Sequence, residues 1–340
     1  QQITEICKNL MHNSRILVLD EPTAVLTITE IHKLFQVLKQ LRKEGVSIIY
    51  ISHRLDEIFE LSDRITVLKD GKYVDTVDTS SISKEQLVTM MVGREISQMF
   101  PKRNAKIGEE VLRVKGLCAG KTVQNVSFYV RSGEILGFCG LVGSGRTETM
   151  RAVFGADKKD SGEITYLGEQ VTFRDCRSAI THGFGMLPEN RKEQGLLLNQ
   201  SIRINSTLAV LNRKISKAGF IPHRQEKNFV RELLESISTK YDSTEDKVNS
   251  LSGGNQQKVS LAKWIAVDCR CIVLDEPTRG VDVGAKVEIY ELITQIAEQG
   301  VAVIMISSEM PEIIGLCDRV VVMRQGKVTG EFSKEDITEN

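Results

Sequence analysis

VLDEPT stands at residues 18–23 of this chain and again at residues 273–278, an offset of 255 residues. The same offset aligns residues 49–72 with residues 304–327, where eleven of the 24 aligned positions are identical. A constant register over such a span indicates an internal repeat. The sequence therefore predicts two copies of one module. Because the second copy opens near Val111, far ahead of its VLDEPT segment, we expect the chain to begin inside the first copy.

The composition of the chain argues against several classes of function. Its 340 residues are typical of about two domains. Lysine plus arginine equals aspartate plus glutamate at 45 each, so the chain has no bulk attraction to nucleic acid or anionic lipid. No apolar run approaches ~18 residues, so no membrane-spanning helix is predicted. The seven cysteines form no C-x-x-C pair, which favours reduced, buried thiols over a metal site.

The residues around the first VLDEPT segment predict a strand, a helix and a second strand. Residues 16–19 are typical of a buried parallel strand, and they end in Asp20, Glu21 and a proline. Residues 29–44 place apolar side chains at helical spacing, and residues 46–51 predict another buried strand. This order forms a βαβ unit with a parallel sheet. A hairpin with a D-G turn is predicted to follow, over residues 65–77.

The second copy is nearly complete and predicts an α/β domain. Its predicted strands are residues 111–114, 123–130, 134–139 and 271–274, and its predicted helices include residues 148–154 and 225–238. Residues 96–110 are polar and weakly periodic, which predicts a linker. We therefore expect residues 1–95 to be the C-terminal part of a first lobe, and residues 111–340 to be the second lobe.

The segment GLVGSGRT, residues 140–147, fits the phosphate-binding pattern G-x-x-x-x-G-K-[ST] at all but one position. Glycines let backbone N–H groups point at phosphate oxygens at the start of a helix, and Thr147 can bind magnesium. Arg146 replaces the usual lysine and keeps its charge on a bulkier, planar head. A glycine turn without a ligand is the alternative, but a strand before the segment and a helix after it favour a phosphate loop. The candidate nucleotide-binding residues are Gly140, Gly143, Ser144, Gly145, Arg146 and Thr147.

Two acidic residues, Asp275 and Glu276, close the apolar strand of the second VLDEPT segment. A carboxylate at a strand end can hold magnesium, and its neighbour can polarise an attacking water. Paired acids at a strand end are also found merely solvated. The phosphate loop in the same copy favours the functional interpretation.

LSGGNQQK, residues 251–258, is the most specific motif of the chain. Its serine and two glycines precede a predicted helix and offer a hydroxyl and backbone N–H groups to an anion. A phosphate loop, an LSGG segment and an LDEPT strand in this order resemble the ATP-binding cassette (ABC) ATPases, and the resemblance covers essentially the whole chain. It implies P-loop NTPase lobes, each with a mixed, mostly parallel sheet, helices, a helical subdomain and a small antiparallel β part.

Several other segments resemble one branch of this family, the tandem ATPase subunits of bacterial monosaccharide importers of the ribose, galactose and xylose type. LDEPTAVLT (19–27) and ISHRLDEI (51–58) resemble the end of their first lobe. The segments that resemble their second lobe are GLVGSGRTE (140–148), LPENRK (187–192), LSGGNQQK (251–258), LDEPTRGVDVGAK (274–286) and ISSEMPEI (306–313).

The resemblance implies a role for individual residues. In the first lobe Asp20 is the magnesium-side aspartate, Glu21 the catalytic glutamate and His53 the switch histidine that reaches the γ-phosphate. In the second lobe Asp275 and Glu276 hold the corresponding acidic positions. Ser308 stands at the histidine position there, and Glu189 stands where active cassettes have a glutamine that senses the γ-phosphate and metal. The signature residues are Leu251, Ser252, Gly253, Gly254 and Gln256.

The departures from the family pattern imply two unequal sites. Ser308 is too short to act as the histidine does, and an ionised Glu189 would repel phosphate. ABC lobes dimerise head to tail, so each ATP lies between the phosphate loop of one lobe and the signature of the other. Arg146, Glu189 and Ser308 therefore fall on one site, which we expect to hold ATP and Mg²⁺ without efficient hydrolysis. Glu21, with the histidine and the intact signature, belongs to a hydrolytic site that this chain is not expected to complete alone.

The implied function is ATP hydrolysis that energises the import of a monosaccharide through membrane permease subunits. A sugar-binding protein acts indirectly through the permease, nucleic acid is not a partner, and the protein lies peripherally on the cytoplasmic face of the cell membrane. One alternative is a soluble tandem ABC ATPase that acts on nucleic acid or the ribosome, which the short linker and the net charge of +0 disfavour. The other is a nucleotide-binding regulator without hydrolysis, which Glu21 and His53 disfavour.

Overall fold

A computed structural model describes residues 15–336 of the chain, except residues 24–25, 27, 53, 70, 94–99 and 217–219. The chain divides into two compact parts, Gln1–Gln98 and Met99–Asn340, which we call the first unit and the second unit. Within the described residues, no helix is long and apolar enough to span a membrane.

The described part of the first unit contains two small sheets and three helices. In chain order these are β1 (Ile16–Asp20), α1 (Ile28–Lys43), β2 (Ser47–Ile51), α2 (Leu55–Leu61), β3 (Arg64–Lys69), β4 (Lys72–Asp78), a 3₁₀ turn (Thr79–Ser81) and α3 (Lys84–Val92). β1 and β2 are parallel and flank α1 in the chain, so the predicted βαβ unit is confirmed. β3 and β4 form the predicted antiparallel hairpin. Asp70 of its D-G turn lies outside the described residues.

The sheet of β1 and β2 is covered on one face. Leu17 and Leu19 of β1 are buried with side chains of α1. The opposite face carries four apolar side chains, 48 to 63% exposed, from Ile16, Val18, Ile49 and Ile51. The prediction of two buried strands is therefore wrong for this face. The physical reason is that the sheet has two strands among the described residues and a single helical layer beside it.

The second unit contains a large sheet, a smaller antiparallel sheet and seven helices within its described residues. Its strands are β5 (Glu110–Ala119), β6 (Val123–Arg131), β7 (Ile135–Cys139), β8 (Ser161–Tyr166), β9 (Glu169–Val171), β10 (Phe184–Leu187), β11 (Cys271–Asp275), β12 (Ala302–Ile306), β13 (Arg319–Arg324) and β14 (Lys327–Ser333). Its helices are α4 (Arg146–Phe154), α5 (Cys176–Thr181), α6 (Ile202–Thr207), α7 (His223–Ser236), α8 (Gly253–Ala266), α9 (Val283–Glu298) and α10 (Met310–Leu316). Two π-helical turns, Arg191–Gly195 and Leu211–Ile215, and two 3₁₀ turns, Val248–Ser250 and Lys334–Asp336, complete it.

The large sheet positions the candidate site. Its strand order is β10-β11-β12-β7-β13-β14, with β14 antiparallel to β13 and the other pairs parallel. Every residue of β7, β11 and β12 is buried, as continuous apolar runs in a parallel sheet require. Parallel strands end at the same edge, so the segments that follow β7, β10, β11 and β12 meet there. The predicted α/β architecture is confirmed, including the antiparallel sheet of order β6-β5-β8-β9.

A helical part packs beside the large sheet, where α6 contacts both α7 and α8. The buried carboxylate of Glu226 on α7 ties it together by accepting hydrogen bonds from Arg203 and Thr207 of α6. The described part of the predicted linker belongs to the second unit, where the ring of Phe100 stacks on that of Tyr290 with 5.2 Å between the ring centroids. The six described cysteines are free, and the four buried ones are Cys139, Cys269, Cys271 and Cys317.

Candidate functional site

The two VLDEPT segments form the same backbone turn. Glu21 has a φ of 43° and Glu276 a φ of 47°, left-handed values that a glutamate rarely adopts. The backbone N–H of Glu21 donates to the carbonyl of Ile51, and that of Glu276 donates to the carbonyl of Ile306, each at 2.9 Å. Such strained backbone persists only where its surroundings enforce it, and it concentrates at functional sites. Both copies therefore hold the glutamate in the same strained backbone conformation.

A buried glutamate fixes this turn in the first unit. Glu57 on α2 is 3% exposed and accepts hydrogen bonds from Thr23 at 2.9 Å and Tyr50 at 2.7 Å. Ser52, the residue before His53, also donates to it at 3.2 Å. Glu57 therefore links the VLDEPT turn to the end of β2. His53 itself lies outside the described residues.

The second unit repeats this arrangement with Glu312, which is 1% exposed. Ser307 donates to its carboxylate at 2.6 Å and Tyr290 at 2.7 Å, and Thr278 donates to it as well. Threonine, serine and glutamate keep the 255-residue offset, but the tyrosine does not. Tyr50 lies on a strand and Tyr290 on a helix, so the two copies supply the third hydroxyl from different elements.

The predicted phosphate loop connects the end of β7 to α4. Gly140, Gly143 and Gly145 have φ values of 150°, 77° and 98°. At Gly140 an added Cβ would lie 2.3 Å from the carbonyl oxygen of Met323, and at Gly145 it would lie 2.4 Å from that of Thr122. The loop therefore requires glycine for both conformation and space.

The polar groups of this loop and of the start of α4 suit a bound phosphate. The hydroxyl of Ser144 is buried and has no hydrogen-bond partner among the described residues. Thr147 lies in the first turn of α4 and is half-buried. A hydroxyl without a partner beside the N-terminus of a helix suits an anion such as a nucleotide phosphate.

Arg146 is buried, at 8% exposure, and spans from the phosphate loop to β12. Its Nη1 donates to the carbonyl oxygen of Ser307 at 2.9 Å. The arginine thus binds the end of a neighbouring strand, whereas the expectation for the usual lysine is a contact with phosphate. This contact uses the length and the planar head of arginine.

Asp275 lies at the end of β11 and is 1% exposed. Neither of its carboxylate oxygens has a hydrogen-bond partner among the described residues. Burial raises the pKa of Asp275 to about 7, although Thr147 and Arg146 act in the opposite direction. A buried carboxylate with free oxygen atoms beside a threonine hydroxyl is a fitting donor set for Mg²⁺, which prefers oxygen ligands.

Glu276 and Ser308 are joined directly. The hydroxyl of Ser308 donates to the carboxylate of Glu276 at 3.1 Å. Burial raises the pKa of Glu276, while its hydrogen bonds from Ser308 lower it. At the position of the switch histidine, the second unit therefore has a hydroxyl that binds the glutamate.

Glu189 follows β10 and forms an ion pair with Arg279, three residues after Glu276. Glu189 also contributes to the raised pKa of Asp275, which places its charge near the end of β11. The ion pair places the positive charge of Arg279 beside the carboxylate of Glu189. The ion pair therefore holds the carboxylate of Glu189 beside the loop that follows the second VLDEPT segment.

The signature residues form the start of α8. Ser252 is its N-cap, with Asn255 donating to the serine hydroxyl, and Gln256 donates to the carbonyl of Leu251 at 3.0 Å. At Gly254 an added Cβ would lie 2.5 Å from the Cβ of Ala285 on α9. The signature glycines are therefore packed against the segment that follows VLDEPT.

The contacts place the predicted residues in three groups. Arg146, Asp275, Glu276, Ser308 and Glu189 gather with the phosphate loop at the edge where the parallel strands end. The signature residues contact Arg191, Gly280 and Ala285. Asp20 and Glu21 belong to the first unit, where Asp20 is exposed.

Sequence reasoning missed Glu57, Glu312, Arg191 and Arg279. The two glutamates occupy equivalent positions of ISHRLDEI and ISSEMPEI, so identity within the repeat could have identified them. Arg191 lies within the LPENRK segment, but its contacts depend on the packing of distant segments and carry no local signal.

Comparisons with known proteins agree with this geometry. The family model described as ABC transporter matches residues 123–279. The chain is 49% identical over 339 residues to the ribose import ATP-binding protein RbsA of Bacillus subtilis (strain 168), an alignment that covers 100% of this chain and 69% of that protein. It is also 49% identical to a putative ribose/galactose/methyl galactoside import ATP-binding protein of Rhizobium meliloti (strain 1021), covering 100% and 68%.

Solved structures share the fold. The ADP conformation of MJ1267, an ATP-binding cassette of an ABC transporter, aligns with a TM-score of 0.58 at 21% identity and covers 67% of this chain and 92% of that one. A dimeric post-hydrolysis state of the cassette MJ0796, bound to ADP and Pi, aligns with a TM-score of 0.57 at 20% identity and covers 66% and 98%. At these identities the likeness concerns the fold.

Proposed function

This chain belongs to the family of ABC transporter ATP-binding proteins, and on that premise we propose that it energises the import of a monosaccharide. In this proposal ATP binding and hydrolysis drive membrane permease subunits, which dock near the segment of Glu189. A sugar-binding protein delivers the sugar to the permease, and the chain lies on the cytoplasmic face of the membrane. The identity of 49% to a ribose import ATP-binding protein, over the whole of this chain and 69% of that protein, carries this proposal.

The nucleotide site of the second unit follows from the phosphate loop. Backbone N–H groups of residues 140–147 and the start of α4 bind the phosphates, with the Ser144 hydroxyl available as a further donor. Asp275 and Thr147 would hold Mg²⁺, which supplies charge neutralisation on the phosphates. Asp275 must lose its proton for this role; burial raises its pKa to about 7, and a bound Mg²⁺ would favour the ionised form.

We further propose that this site holds ATP without efficient turnover. Glu276 is the group that would take a proton from the attacking water, but Ser308 binds its carboxylate and cannot reach a γ-phosphate. Arg146 binds the carbonyl of Ser307, a contact that leaves its charge engaged at β12. The hydrolytic groups are instead Glu21 and His53 of the first unit, with Asp20 as a magnesium ligand.

A chimera tests the proposal. The part of the Bacillus subtilis ribose import ATP-binding protein that matches this chain is replaced by residues 1–340, and ribose uptake is measured in cells that lack their own copy. We expect uptake and membrane ATPase activity. Glu21→Gln should lower the ATPase about 10²–10⁴-fold, because it removes a general base, whereas Glu276→Gln should cost far less.

Two outcomes would contradict the proposal. Equal losses from Glu21→Gln and Glu276→Gln would exclude one competent site. A chimera that gives no uptake and binds RNA, with an affinity that falls steeply with salt, would favour a nucleic-acid partner.

A further inference from the structure

Arg191 joins three segments of the second unit that are far apart in the chain. Its Nη1 donates to the carbonyl oxygen of Arg279 at 2.5 Å, and its Nη2 donates to that of Gly280 at 2.8 Å. The guanidinium also lies against the signature, because a Cβ added to Gly253 would be 3.0 Å from Nη2. One side chain therefore touches the loop after VLDEPT and the first turn of α8.

The turn that Arg191 opens is itself tied to α8. This π-helical turn, Arg191–Gly195, ends where Lys263 of α8 donates to the carbonyl of Gly195 at 2.8 Å. A Cβ at Gly195 would lie 3.2 Å from the hydroxyl of Ser260, also on α8. The turn thus contacts the signature helix near both of its ends. π-helical turns are rare and occur frequently at functional sites.

The same turn is connected to the nucleotide site through Glu189. Glu189 pairs with the side chain of Arg279, and Arg191 holds the carbonyl of the same residue. Contacts therefore run from Arg191 through Arg279 to Glu189. Glu189 follows β10, which pairs in parallel with β11 and has Leu187 opposite Leu274, so Glu189 lies at the same sheet edge as Asp275.

We propose that Arg191 is a positioning residue that couples nucleotide occupancy of the phosphate loop to the signature turn, residues 252–254. Its planar fork bridges two carbonyl oxygens, so the loop at 279–280 and the start of α8 move with the Glu189 segment. Lysine at this position would place one point charge there and could not reproduce the fork. The inference rests on the proposed function, since it requires the second unit to hold ATP.

Hydrogen exchange on the 340-residue chain tests this coupling. Exchange at the backbone amides of residues 253–256 and 280–282 is measured with and without Mg-ATP. In the unmodified chain we expect ATP to slow exchange at both segments by about fivefold or more, the lower end of ordinary coupling factors. Arg191→Gln and Arg191→Lys should both lose the effect at residues 253–256 while protection of residues 140–147 by ATP persists. By linkage, the ATP affinity of these variants should fall by no more than the same factor.

Lys192→Gln is the matched control, because it removes the same charge from an exposed neighbouring side chain of the same turn. It should behave as the unmodified chain does. Fluorescence of Trp264, the single tryptophan, reports whether each variant keeps the folded second unit. If Mg-ATP slows exchange at residues 253–256 in either Arg191 variant as much as in the unmodified chain, this inference is wrong, and the proposed function is unaffected. Absence of any ATP binding by the unmodified chain would overturn the proposed function and the inference with it.

Discussion

Asp20 and Asp275 occupy the same place in two copies of one six-residue segment, at the end of a parallel strand, yet their surroundings differ. Asp20 is exposed, whereas Asp275 is 1% exposed and has a pKa of about 7 because of its burial. The strand before Asp20 pairs with one described neighbour, and four apolar side chains of that small sheet face outward. The strand before Asp275 lies inside a sheet of six.

Two features are the same in both copies: the backbone turn of the VLDEPT segment, and the buried glutamate that accepts hydrogen bonds beside it, which we call the anchor. The left-handed glutamates and the buried Glu57 and Glu312 recur because threonine, serine and glutamate lie within two short segments of each copy. The charge properties of the aspartate are not constant, since they depend on how many strands and helices cover it. A short motif therefore determines local geometry, and the surrounding sheet determines the electrostatics on which chemistry depends.

Removing the anchor of the second unit gives the largest expected effect. Glu312→Ala leaves three hydroxyl donors without their acceptor in a buried site, and we expect the unfolding free energy to fall by about 3–5 kcal/mol. Urea denaturation, monitored by the fluorescence of Trp264, measures this loss. Glu309→Ala is the control, because Glu309 is half-exposed in its ion pair with Lys286 and should cost at most about 1 kcal/mol. If the two variants lose the same unfolding free energy, the hydrogen bonds to Glu312 do not stabilise the turn.

The pH dependence of stability should separate Asp275 from Asp20. The pKa of folded Asp275 lies above its unfolded value, so the folded state binds more protons between about pH 4 and pH 7, and stability falls as pH rises through that range. From pH 5 to pH 8, without metal or nucleotide, this loss is on the order of 2–3 kcal/mol. Asp275→Asn should remove it, whereas Asp20→Asn should leave the Trp264 transition within about 0.5 kcal/mol at both pH values. A slope that Asp275→Asn does not change would mean that another group causes it.

Much of the fold could be predicted from the sequence because its signals are local. Apolar runs followed by acidic residues identified β1 and β11, and the glycine pattern identified the loop before α4. The predicted burial of β1 and β2 was wrong for one face, since burial depends on the elements that cover a strand and not on its own side chains.

The candidate site was predictable in its residue types but not in its contacts. Asp275, Glu276 and Ser308 could be placed together because motif order and parallel topology bring strand ends to one edge. The contact of Arg146 with Ser307, the pairing of Glu189 with Arg279 and the bridge made by Arg191 all join segments distant in the chain. No local pattern encodes such contacts, and they decide how a charge that the sequence predicts is actually used.

The central claim is that the second unit binds ATP but does not turn it over, and one pair of measurements on the same preparation tests it. Equilibrium binding of Mg-ATP and release of inorganic phosphate are measured for the 340-residue chain and for its Glu276→Gln variant. The account predicts saturable binding by both proteins and phosphate release by the unmodified chain no greater than that of the variant. Phosphate release that Glu276→Gln lowers by about 10²-fold or more, the effect of losing a general base, would contradict it.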